Sequence, residues 1–143
     1  MQEAEVDVIL WLRRLSRVAR MATAPQAMPA DLLACWYGAP EPGHVARGLA
    51  WLQRWHARVQ AEARGAAVAA DAMDRANPKF VLRNWLAQEA IDAAHEGEFG
   101  KVQRLLGVLR RPFDEQPESE DLAQKRPEWA RSRPGCATLS CSS

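Results

Sequence analysis

No apolar run in this chain approaches the roughly 20 residues that a bilayer-spanning helix needs. Cysteine is scarce: Cys35, Cys136 and Cys141 are too few and too unevenly placed for a disulfide framework. A reducing cytoplasm is therefore the expected compartment. The opening Met-Gln-Glu-Ala-Glu is acidic where a signal or transit peptide would be basic, which argues against export. There is almost no excess charge, 19 Lys and Arg against 18 Asp and Glu for a net +1, so nothing global favours nucleic acid or an anionic membrane as partner. A phosphate-cradling loop is missing as well, since Gly97-Glu98-Phe99-Gly100 has two glycines and no strand before it. His44, His56 and His95 form no i, i+4 pair, and with Cys136 and Cys141 they lack the spacing of a zinc site. Neither Ser140 nor Ser142 has an evident histidine partner.

What is present reads as helix. Val8, Trp11, Leu12, Leu15, Val18 and Ala22 recur at helical spacing across residues 3–22, with acids at the start and Arg13, Arg14, Arg17 and Arg20 towards the end. A short helix over residues 31–37 closes at Gly38, and Ala39-Pro40-Glu41-Pro42-Gly43 breaks the chain. Val45, Leu49, Leu52, Trp55 and Val59 predict a long helix over residues 44–63. An Ala-rich helix over residues 66–76 ends at Asn77-Pro78. A helical hairpin follows, lined by Leu86, Ala87, Ala90, Ile91 and Ala94, then by Val102, Leu105, Leu106 and Leu109. No alternation is long enough for a sheet, so the expected class is all-α. From Pro112 the chain turns proline-rich and acidic. The expected organisation is a helical module over residues 1–111 and an extended irregular tail over residues 112–143, with Trp129 as its anchor.

Most conspicuous residues have an ordinary explanation. Trp11, Trp51, Trp55 and Trp85 lie among apolar residues and read as core, whereas Trp36 and Trp129 stay open. The four arginines at residues 13–20 either grip an anion or form a solvated face, and the solvated face is favoured. Asp71 and Asp74 read as solvent-exposed acids on the Ala-rich helix. The hairpin is a single unit where ankyrin-like or tetratricopeptide arrays need about three. Its second helix is too sparsely basic for a DNA-reading helix.

Two segments carry more specific information: Asn77-Pro78-Lys79-Phe80-Val81-Leu82-Arg83-Asn84-Trp85-Leu86-Ala87, and the terminal Leu139-Ser140-Cys141-Ser142-Ser143. With residues 109–118 and 126–131 between them, in order, they resemble the C-terminal part of the selenoprotein O (YdiU) family. That resemblance implies a kinase-like core elsewhere in the polypeptide. Such a core binds ATP with Mg²⁺ or Mn²⁺ and moves AMP onto Ser, Thr or Tyr of protein substrates. It also implies a redox role for Cys141, matching the family's terminal cysteine or selenocysteine; the residues alone leave an unreactive surface thiol as the alternative, and Cys136 is near enough in sequence to be a candidate resolving partner. The kinase motifs are not found in these 143 residues, so no catalytic, cofactor-binding or metal-binding residue is assigned. The expectation is a structural C-terminal module whose partner is the missing core, with no cofactor of its own and neither nucleic acid nor membrane as partner. The alternative is a free-standing helical interaction module, or a truncated gene product without activity.

Overall fold

The computed structural model describes residues 5–136. Among them the α-helices are α1 (Val8–Ala19), α2 (Ala30–Leu33), α3 (Pro42–Gln60), α4 (Ala66–Ala76), α5 (Asn84–His95) and α6 (Gly100–Leu109). Two short 3-10 helices follow, Pro117–Ala123 and Glu128–Ala130. No sheet forms among the described residues, and the sole extended pairing is an isolated antiparallel bridge between Val6 and Trp36. The all-α expectation holds. The chain falls into two compact units, Met1–Pro78 and Lys79–Ser143.

In the first unit α1 packs chiefly on α4 and also meets α2 and α3. Its start is fixed by Asp7, whose carboxylate accepts the Leu10 amide at 3.1 Å, and by the Asp7 amide donating to the Cys35 carbonyl at 2.8 Å. The core gathers Leu15, Val18, Met28, Leu32, Trp36 and Leu52, with Ala19, Val59, Ala69 and Ala70 as a second cluster. Alanines on α4 let it approach α1 closely. The long helix α3 starts with Pro42 in its first turn, where a missing amide costs nothing. All five apolar residues foreseen for it (Val45, Leu49, Leu52, Trp55 and Val59) join these clusters.

The face foreseen for α1 is only partly right. Leu15 and Val18 are buried, but Val8 and Leu12 are 48% and 41% exposed. Neighbours enclose this helix on several sides, so Leu10, Ser16 and Ala19 are buried too, and no single stripe describes its burial.

In the second unit α5 and α6 form the foreseen hairpin around Gly97, whose φ of 86° suits glycine. Leu86 and Ala90 face Leu105 and Val108, and Phe80, Leu122 and Ala123 complete the cluster. The α6 face is rotated from the expected one: Val108 is inside, whereas Val102 and Leu106 are exposed. After Pro112 no α-helix forms among the described residues. This irregular segment is nonetheless anchored, through buried Leu122, Ala123, Ala130 and Cys136.

Candidate functional site

The motif Asn77–Ala87 is a joint. The Lys79 and Phe80 amides both donate to the Pro112 carbonyl, at 2.8 and 3.0 Å, so Asn-Pro-Lys-Phe is tied to Arg-Arg-Pro-Phe by main-chain bonds. Phe80 then enters the core at 2% exposure. Lys79 is buried, and its ammonium donates to the Glu115 carbonyl at 2.7 Å, to Glu115 Oε2 at 2.8 Å and to the Glu120 carboxylate. A buried ammonium needs such partners, because leaving water unpaired costs several kcal/mol, on the order of what whole domains have in reserve. Glu115 and Glu120 of the acidic run after Pro112 are thus the counter-charge of this lysine, while Asp114 and Asp121 pair with Arg111 and Arg104. Neighbouring Gln116 takes a left-handed conformation, φ 33°, and its side-chain amide donates to the Val108 and Arg111 carbonyls at 3.1 and 2.8 Å. These bonds cap the end of α6.

Beside this joint lies a groove of about 370 Å³ lined by Trp85, Leu86, Glu89, Lys101, Arg104, Leu105, Asp121 and Leu122. Its floor is apolar and its rim charged. Arg104 grips both oxygens of Asp121 at 2.7 Å. That hydrogen bond holds the Asp121 carboxyl below the usual carboxylate range, with the guanidinium's charge adding to it. Trp85 meets Trp129 edge to face, ring centroids 6.4 Å apart, and Arg133 stands over the Trp129 ring at 5.5 Å. Trp129 is 44% exposed, so the foreseen anchor role is shared with Ala130 and Cys136. Arg133 also pairs with Asp92 at 2.5 Å. Gly135, with φ 82°, passes so close to the Gln88 side chain that a Cβ there would collide with it.

Of the two candidate redox cysteines, Cys136 is 4% exposed and Cys141 lies outside the described residues. Cys136 must be uncovered before it can meet another thiol. Cys35, in the first unit, is also buried. Burial pushes its thiol pKa up, against the pull of Arg14, whose guanidinium donates to Sγ at 3.3 Å.

The arginines of α1 neither grip an anion nor form a free solvated face. Arg13 donates to the Asp74 and Asn77 carbonyls at 2.7 and 3.1 Å, closing the C-terminal end of α4 where its dipole is negative. Arg20 pairs with Asp71 and Asp74 at 2.6 and 2.8 Å, which gives both acids a partner. Arg17 meets Asp31 at 3.3 Å, and Arg14 donates to the Asp31 carbonyl. Buried His56 has Nε2 2.9 Å from the Met21 carbonyl oxygen, in the turn after α1. Trp36 proves to be core, edge-on to Trp11 at 4.9 Å, whereas Trp51 is 41% exposed and not core as foreseen.

No three His, Cys, Asp or Glu side chains among the described residues could hold a metal ion together. The groove's one arginine is already matched by Asp121. No helix among these residues is long and apolar enough to cross a membrane.

No family model matches the chain. Whole relatives are nonetheless easily recognised. A protein of Nitrosospira multiformis, named Protein nucleotidyltransferase YdiU, is 53% identical over 100 residues, covering 70% of this chain and 18% of that protein. Proteins of the same name are 46% identical in Xanthomonas campestris pv. campestris and 44% in Azoarcus sp., each covering the whole chain and 27% of the relative. The chain therefore spans about a quarter of the length of the relatives that it matches end to end.

Proposed function

Because the chain belongs to the YdiU (selenoprotein O) family, we propose that it is the C-terminal helical module of a protein adenylyltransferase, bracing a kinase-like core without itself transferring AMP. One observation carries the reading: end-to-end similarity to only a quarter of much longer proteins, in a chain whose most distinctive motif is spent on internal joints. Lys79 and Phe80 hold the acidic segment, and Arg13 closes α4. Chemistry on ATP needs metal ligands and cationic groups free to meet developing phosphate charge. The motif residues are committed elsewhere.

Bracing has an available surface. Val8, Ile9 and Leu12 on α1, and Phe99 just before α6 with Val102 and Leu106 on it, are each more than a third exposed at helical spacing. In the full-length family these strips would be covered by the remaining polypeptide. The terminal Cys141 would act as a redox switch there: a peroxide takes two electrons from its thiol and a second thiol, tying the tail by a disulfide as the two protons leave in water. Cys136 would take part only after the tail has been uncovered.

Incubation of the purified chain with labelled ATP, Mn²⁺ and a protein mixture is expected to leave every protein unlabelled. Robust labelling that follows the chain through purification would overturn the reading.

A further inference from the structure

The outer face of α3 carries an arginine ladder with an aromatic rung. Arg47, Trp51, Arg54 and Arg58 are spaced four, three and four, which puts them on one stripe of the helix. The stripe is about 16 Å long at the rise of an α-helix. It lies opposite buried Leu52, His56 and Val59, and all four of its residues are exposed. Trp51 is not loose: it stacks on half-buried Trp55, ring centroids 6.0 Å apart and planes 16° from parallel.

The arginines of α1 are all matched by carboxylates or carbonyls of their own unit, and Arg104 and Arg133 by theirs. Among the described residues no such partner meets Arg47, Arg54 or Arg58. The next acid along the stripe, Glu62, is held by Arg64 at 2.6 Å. Like charges one helical turn apart, as at Arg54 and Arg58, destabilise an isolated helix rather than support it. Arg75 and Arg110 lack such a partner among these residues as well, but they stand singly, whereas these three stand in a row on one helix face around an exposed tryptophan. Arginine and tryptophan are also the residue types that most often dominate the energy of protein interfaces.

We propose that this stripe is a docking surface for an acidic helical segment of another polypeptide. A partner helix with Asp or Glu at the same four, three, four spacing would match the ladder rung for rung, its apolar residues covering Trp51. A near-neutral chain offers little long-range attraction to a polyanion, so spacing rather than total charge would select the partner.

The test uses the full chain and three labelled probes: an Ala-rich helical peptide with glutamates at the matching spacing, the same composition scrambled, and oligo(dT). Fluorescence anisotropy is expected to show the matched peptide binding about tenfold tighter than the scrambled one. That preference should vanish in the Arg47→Gln, Arg54→Gln, Arg58→Gln triple variant, and the affinity for the matched peptide should fall about tenfold in Trp51→Ala. All four sites are exposed, and circular dichroism checks that the variants keep their helices. Equal binding of the scrambled peptide, or binding retained by the triple variant, would overturn the proposal. So would tighter binding of oligo(dT) with a steep loss in salt, which would make the stripe a single-strand platform instead.

Discussion

Phe80→Ala is expected to destabilise the second unit by about 3–5 kcal/mol, the range for deleting a buried aromatic from a packed core. The ring sits at 2% exposure among Leu86, Ala90, Leu105, Val108, Leu122 and Ala123, so its loss leaves a cavity shared by α5, α6 and the segment after Pro112. Collapse into that cavity is hindered, because the Phe80 amide is fixed to the Pro112 carbonyl at 3.0 Å. Urea unfolding together with hydrogen exchange of the α5 and α6 amides measures the effect. Phe80→Leu should cost distinctly less, since it keeps most of the apolar volume. A change below about 1 kcal/mol for the alanine variant would mean that the joint is not where this unit is held together.

Lys79→Met comes second, with an expected loss of about 2 kcal/mol. Methionine keeps the unbranched stem and removes the ammonium, stranding the Glu115 carbonyl and two carboxylates. The carboxylates of Glu115 and Glu120 are 64% and 60% exposed and return to water, which keeps the loss below that of a fully buried pair. Hydrogen exchange should speed up most over residues 115–123. Glu120→Gln, which removes one of several acceptors at the surface, should cost less than about 1 kcal/mol. If Lys79→Met were neutral and residues 115–123 stayed protected, apolar contacts alone would hold the segment.

Helix identity was legible because it rests on local pattern. The spacing of Val45, Leu49, Leu52, Trp55 and Val59 marks α3 almost completely, and Gly38 and Gly97 stand where the chain turns with positive φ. Which residues face inwards was less legible wherever burial is set from several sides. On α1 the partners α2, α3 and α4 bury Leu10 and Ala19 together, and on α6 the core takes Val108 and leaves Leu106 outside. Long-range polar pairing was not legible at all. Lys79 with Glu115 and Glu120, and Arg20 with Asp71 and Asp74, join residues 36 to 54 positions apart. No local period encodes such pairs. The acidic run at residues 114–121 was visible, yet it read only as the start of an extended irregular tail. The missing clue was the lone lysine between Pro78 and Phe80, in a motif already singled out.

The bracing role is tested most directly by complementation. The Xanthomonas campestris relative, 46% identical over the whole chain, can be produced without its matching segment and mixed with this chain in trans. The expected result is a stoichiometric complex by native mass spectrometry that melts higher than the truncated relative alone. Replacing Leu12 or Leu106 by aspartate should weaken that complex. If the two polypeptides stay separate at micromolar concentration and the truncated relative is just as stable without this chain, the bracing role is wrong.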